Sequence, residues 1–232
     1  ANEIRDLLNT ITSASARDRC HTILSDIFKH AINYDLLEKS VMQKITRFRY
    51  KGTPLEPLTH EEERLFVNEA KKSKCAIIFF LMLYEGLRTS EAKAITPYDI
   101  KENYIIVDKS INDYGEFIPT KTNNKRVVPI FDKFKPYADK YRGTDKTPCL
   151  GKVNKHTAVN EYAKIQIKTN LTKRMYSLRH TFATRCEEAG ISVKQTAQWM
   201  GHSNIQTTLN NYIGIISTFE NNNINKKNEI DD

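Results

Sequence analysis

The run CAIIFFLMLY, residues 75–84, constrains this chain more than any other stretch. Its apolar residues leave no polar face, so any helix it forms has to be enclosed on all sides. A membrane-spanning helix needs about 20 such residues. The run is only ten long, so it reads as the buried helix of a globular core. The chain has 232 residues, enough for one large domain or two small ones around that helix. Hydrophobic residues make up 39% and charged ones 28%, an ordinary balance for such a protein. The net charge of +8 is less ordinary. It points to a polyanionic partner, nucleic acid first and an acidic membrane surface second. The plainer reading is a protein that happens to be basic. Cysteines at 20, 75, 149 and 186 show no Cys-x-x-Cys spacing, which suggests neither a disulfide framework nor a zinc site and fits a reducing cytosol. No signal peptide is expected from its first residues. The chain starts on alanine close to or within a helix, and reads as a fragment.

Upstream of the apolar run, residues 1–44 read as helices. Ile4, Leu7, Leu8 and Ile11 share one side of the first; Ser13 or Ser15 caps a second, which carries Cys20, Ile23, Leu24, Ile27, Phe28 and Ala31 and continues through INYDLL. The segment 45–57, ITRFRYKGTPLEP, loses periodicity and gains Gly52, Pro54 and Pro57, so it reads as an extended linker. Lys44, Arg47, Arg49 and Lys51 make this region basic. Any one of these charges is most simply a solvated side chain; together they suit contact with phosphates. Thr59 followed by Glu62 is a capping-box pattern, opening a helix with Leu65, Phe66 and Ala70 as its inner stripe.

Gly86 breaks the buried helix, and Thr89 or Ser90 starts another, so Arg88 sits at a helix junction. An arginine there is either tied to a carboxylate, with Glu91 at hand, or aimed at an anion. Residues 103–130 hold the β content. NYIIVD, GEFIP and KRVVPI are β-branched runs separated by turn residues and predict a small antiparallel meander, with Lys121 in the last turn. Residues 131–143 predict a helix interrupted near Pro136, and 155–169 a further helix.

The stretch 176–212, YSLRHTFATRCEEAGISVKQTAQWMGHSNIQTTLNNY, concentrates the polar chemistry. Leu178, Phe182 and Cys186 recur every four residues, predicting a helix that Gly190 stops. Ser192 caps a second helix through Trp199 that ends at Gly201, and a third begins at Ser203 or Asn204. Arg179, His202 and Tyr212 are thereby held at defined points. Singly, a tyrosine is more often packing than nucleophile, and a histidine more often a cap or a surface residue. The ordered set is what carries weight: Arg88 in Gly-Leu-Arg-Thr-Ser-Glu-Ala, Lys121 on a β-turn, Arg179 in Leu-Arg-His-Thr-Phe-Ala-Thr, His202 in Gly-His-Ser-Asn-Ile-Gln-Thr-Thr, then Tyr212.

Over about residues 57–215 this order resembles the tyrosine recombinase, or phage integrase, family, and within it the integrases of Gram-positive temperate phages and conjugative transposons. The resemblance implies a mainly α fold with a small antiparallel sheet (α+β). It implies an incomplete helical core-binding domain over 1–44, a basic linker over 45–57, a catalytic domain over 58–215 and a tail over 216–232 whose end is polar and disordered. It also implies a chemistry. Arg88 and Arg179 supply forked donors to the nonbridging oxygens of a DNA phosphodiester, and His202 donates a further hydrogen bond. Tyr212 attacks phosphorus to form a 3′-phosphotyrosine, and Lys121 protonates the departing 5′ oxygen. The link conserves the phosphodiester's energy, so rejoining needs no ATP, and the arginines do the charge neutralisation without a metal or other cofactor. Where the family usually has histidine, three residues before Arg179, this chain has Tyr176, a poor base near neutrality; its ring either joins the site or packs at the helix start.

The implied partners are double-stranded DNA attachment sites, a homotetramer on two duplexes, and accessory DNA-bending or excision factors, in a bacterial cytoplasm at the nucleoid and away from membranes. Ile213, Ile215, Ile216 and Phe219 would dock on a neighbour or on their own chain. Lys44, Arg47, Arg49 and Lys51 would cross the DNA backbone between the halves of a clamp. Competing readings are a helix-turn-helix regulator built on residues 190–212, a type IB-like DNA-relaxing enzyme, a helical protein–protein module, and a metal nuclease using Asp108, Asp113 and Glu116. The regulator leaves Arg88 and Lys121 unexplained; the nuclease lacks a supporting histidine.

Overall fold

A computed structural model describes residues 1–50, 55–120, 125–151 and 156–201. The chain divides into two compact units, Ala1–Pro54 and Leu55–Asp232.

The first unit contains α1 (Asn2–Thr10), α2 (Ala14–Asn33) and a 3-10 turn, Val41–Lys44. Ser13 caps α2 by accepting the Ala16 amide. Leu8, Met42 and Ile45 form a small core, with Ile4, Ile11, Cys20, Leu24 and Phe28 packed on it. Leu7, Ile23 and Ile27 point away and are half-exposed. A helix with apolar residues on two adjacent stripes offers two candidate inner faces, and the 3-10 turn selects the one through Leu24 and Phe28. The second helix also stops earlier than its sequence suggests. It ends at Asn33, Asp35 follows with φ +55, and Leu36 and Leu37 are exposed beyond it.

The second unit is built around α4 (Ala76–Tyr84), whose residues Ile77 to Leu83 are all buried. The predicted core helix is therefore present, and among the described residues no helix is long and apolar enough to cross a membrane. It packs against α5 (Thr89–Ala94) and α8 (Ser177–Glu188). On its other sides Phe66 of α3 (His60–Ala70), Phe79 and Tyr162 of α7 (Thr157–Thr169) form an aromatic triad with ring centroids 5.6–5.9 Å apart. The Thr59–Glu62 capping box is formed in both directions. The inner stripe of α3 is Glu63, Phe66 and Ala70; Leu65 is displaced from it and partly exposed. Glu63 tolerates burial because Lys133 and Arg185 bind its two oxygens at 2.9 and 2.8 Å.

The β region departs from a consecutive meander. β1 (Tyr104–Val107) pairs antiparallel with β4 (Arg126–Pro129), Val107 opposite Arg126. A separate hairpin, β2 (Lys109–Ile111) with β3 (Phe117–Pro119), lies between them in sequence. A strand at Lys109–Ile111 lacks β-branched density and went unpredicted. Its turn is set by Asn112, whose Oδ1 accepts the Tyr114 and Glu116 amides. Pro136 does not interrupt a helix: it lies in the first turn of α6 (Lys135–Tyr141), where its missing N–H costs nothing. The last described helix, α9 (Val193–Met200), is capped by Ser192 and closed by Gly201. A third helix after it falls outside the described residues.

Gly86 joins α4 to the site. Its φ is +66, and a Cβ there would collide with the Phe182 ring. Gly86→Ala is expected to destabilise the chain by about 2–5 kcal/mol, left-handed strain and overpacking together. Gly190→Ala, at φ +74 with nothing within 4 Å of its Cβ, bears the strain alone and is expected to lose about 1 kcal/mol. Urea unfolding of the two variants checks the difference.

Candidate active site

The C-terminal end of α9 is where distant segments converge. A helix ends with carbonyls that lack intrahelical partners and carry partial negative charge. Here three arginines from three other elements take them up.

Arg88 is the N-cap residue of α5. Its backbone N–H donates to Glu91 Oε2 at 2.8 Å, its Nη1 to Glu91 Oε1 at 2.8 Å, and its Nη2 to the Gly201 carbonyl at 2.7 Å. Arg179, in the first turn of α8, donates from Nη1 to the Gly86 carbonyl at 2.6 Å and from Nη2 to the Met200 carbonyl at 2.8 Å. Its Nη1 lies 4.0 Å from Glu91 Oε2. Arg126, the first residue of β4, forks onto both Glu91 oxygens at 3.1 and 2.7 Å and donates from Nε to the Trp199 carbonyl at 2.6 Å.

Glu91 is therefore the common acceptor, only 1% exposed. Burial alone would raise its carboxyl. The hydrogen bonds and charge of Arg126, with those of Arg88, outweigh that and hold it at about 2. Arg179 is equally enclosed; burial lowers its guanidinium to about 10, with Arg88 and Arg126 adding to that and Tyr176 and Glu91 opposing it. It keeps its charge at neutral pH. Three guanidinium charges against one carboxylate leave +2 in a confined volume (3 − 1), a fixed field for an anion. Arg88 is the more accessible of the two predicted arginines, its side chain 19% exposed against 1% for Arg179.

Of the residues singled out from sequence, the structure thus brings Arg88 and Arg179 together. Of the two alternatives raised for Arg88, the tie to a carboxylate is present: it binds Glu91, within a net-positive cluster. Tyr176 stands at the N-cap of α8 and is 43% exposed. Lys121, His202, Tyr212 and Lys51 lie outside the described residues. In the first unit, Lys44 ends the 3-10 turn and Arg49 is exposed, while Arg47 binds Asp18 at 2.9 Å and Thr22 at 3.1 Å. Asp108 pairs with Lys109, and Glu116 accepts from Asn112. Among the described residues no three His, Cys, Asp or Glu side chains are grouped to hold a metal ion. Arg126 was missed: one arginine opening a β-branched run has no local signature.

Geometry of this kind, with the Gly-Leu-Arg and Leu-Arg-His motifs at its centre, agrees with comparison to known proteins. The sequence model described as "Phage integrase family" matches residues 56–216, well over half of the chain. The chain belongs to that family. A relative named "Tyrosine recombinase XerC-like", from Caldanaerobacter subterraneus subsp. tengcongensis, is 26% identical over an alignment covering 90% of this chain and 65% of the relative. This chain therefore spans slightly less than two thirds of that relative's length. The integrase of transposon Tn1549, solved in complex with a circular intermediate DNA, superposes with a TM-score of 0.70 at 22% identity, covering 88% of this chain and 76% of that one. A lambda integrase dimer bound to a COC′ core site gives 0.72 at 18% identity, covering 90% and 78%. At those identities the likeness concerns the fold: mainly α with a small antiparallel sheet component.

Glu91→Gln is expected to leave three guanidinium groups beside a neutral amide and to cost about 3–5 kcal/mol at neutral pH. The folded pKa is depressed, so the carboxylate's contribution is complete above 4.5 and fades as pH falls toward about 2. The gap between wild type and variant should close over that interval, as read from urea midpoints at successive acid pH values.

Proposed function

We propose that this chain is a site-specific DNA recombinase that cleaves and rejoins DNA through a 3′-phosphotyrosine, integrating and excising a mobile element. The observation that carries the reading is the convergence of Arg88 and Arg179, 91 residues apart, on one carboxylate and one helix end immediately before His202. A phosphodiester gains negative charge on its nonbridging oxygens as it is attacked. A net-positive cluster whose hydrogen bonds are already made stabilises that charge with little reorganisation. In this reading Tyr212 is the nucleophile and Lys121 protonates the leaving 5′ oxygen. His202 donates to the phosphate, and Tyr176 completes the site near Arg179 in place of a histidine.

The division of labour along the chain follows. Residues 1–44 belong to a core-binding domain, 45–57 to a basic linker, 58–215 to the catalytic domain, and 216–232 to a tail. Lys44, Arg47, Arg49 and Lys51 contact the DNA backbone, Arg47 after exchanging Asp18 for a phosphate. The protein works on double-stranded attachment sites in a bacterial cytoplasm, as four protomers with the tail around Ile213–Phe219 docked on a neighbour, helped by accessory DNA-bending or excision factors.

Incubation with nicked duplexes and denaturing electrophoresis tests the chemistry. Wild type is expected to leave a denaturation-resistant protein–DNA adduct and Tyr212→Phe none, with DNA binding retained. Arg88→Ala is expected to slow adduct formation by on the order of a hundredfold or more, with a modest loss of binding. Equal adduct from Tyr212→Phe would displace that residue as nucleophile. Sequence-specific binding with no adduct under any condition would favour the helix-turn-helix regulator.

A further inference from the structure

We infer that Arg126 is a positioning residue of the active site: it registers the strand after Lys121 and the turn before His202 against the Arg88 junction. This rests on the recombinase reading and deepens it.

The geometry is specific. Both terminal nitrogens of Arg126 are spent on the two oxygens of Glu91, and Nε on the Trp199 carbonyl. Its side chain is 8% exposed and each of its nitrogens has an acceptor inside the protein, which makes it a bridge between elements. Its partners are the point. Glu91 is the residue through which α5 holds the Arg88 side chain. Trp199 belongs to the last turn of α9, and the chain reaches His202 three residues later. On its own strand, Arg126 follows Lys121 by five residues and is paired with Val107 of β1, which sets the depth at which it enters the cluster. Gly201 presses on the same guanidinium. A Cβ at Gly201, where φ is +69, would lie 2.9 Å from Arg126 Nη1 and 3.0 Å from Cζ.

A planar fork makes this junction where a point charge does not. Lysine can neutralise Glu91, but it cannot span both carboxylate oxygens and a carbonyl in the same plane. Its substitution therefore separates charge from registration. Arg88 caps one of the elements that Arg126 joins, and Lys121 and His202 lie within five residues in sequence of its other anchor points, so in the recombinase reading a small loss of register falls on the reacting geometry. Misplacement by about an ångström is enough to cost on the order of a hundredfold in rate.

The test uses the full chain. A pool of nicked duplexes with randomised core sequence is offered to wild type, covalently retained sequences are recovered, and one is used at saturating concentration for all variants. Arg126→Lys is expected to keep its DNA affinity and melting temperature close to wild type, yet form adduct on the order of a hundredfold more slowly. Arg126→Ala should be slower again, so that lysine counts as partial rescue. Gly201→Ala, which displaces Arg126 while retaining it, should show the same loss of rate at saturating DNA. The rate of Arg126→Ala should also fall more steeply toward acid pH than that of wild type. Glu91 would then face only Arg88 and the more distant Arg179. Wild-type rates in the Arg126 variants, or slowing that merely follows lost affinity or melting temperature with an unchanged pH profile, would overturn the inference and leave the recombinase reading standing. No adduct from wild type itself, or equal adduct from Tyr212→Phe, would overturn that reading and this one with it.

Discussion

One buried carboxylate organises the second unit. Glu91 is nearly inaccessible, and an ionised carboxylate in that position is expensive unless it is fully paired. Arg126 and Arg88 pair it directly and Arg179 lies at 4.0 Å. The arginines in turn could not be buried together without it, because their mutual repulsion would be uncompensated. The carbonyls that end α9 complete the balance, accepting from each guanidinium. The surrounding fold can be understood as what keeps these groups within reach. The apolar α4 sets where the chain turns at Gly86, that turn presents a carbonyl to Arg179, and β1 fixes the depth of Arg126.

Much of this was legible in the sequence wherever the signal was local. The Thr59–Glu62 capping box, the all-apolar α4, the four-residue recurrence in α8 and the Ser192 cap are short-range patterns, and each formed where expected. Failures came where two local solutions were equally good. Two apolar stripes on α2 left its inner face open until Met42 and Ile45 closed on one of them. Strands of three or four residues carry too little alternation to reveal that β1 skips to β4 around an inner hairpin.

The site divides along the same line. Arg88 and Arg179 stand in motifs whose neighbours announce them. Arg126 does not: its bonds reach 35 residues back to Glu91 and 73 forward to Trp199, and nothing within a helical turn of it in sequence requires a guanidinium. Glu91 was visible only as a neighbour of Arg88. That it bridges to a strand is a property of the fold.

The depth of this arrangement has a consequence for control. Glu91 titrates at about 2 and Arg179 at about 10, so the cluster holds the same charge throughout the range of pH that a cell experiences. Among the described residues, protonation does not switch this cluster off within that range. A cluster of constant charge leaves control to geometry: to what is brought within its reach. Timing, at such a cluster, belongs to position rather than to protonation.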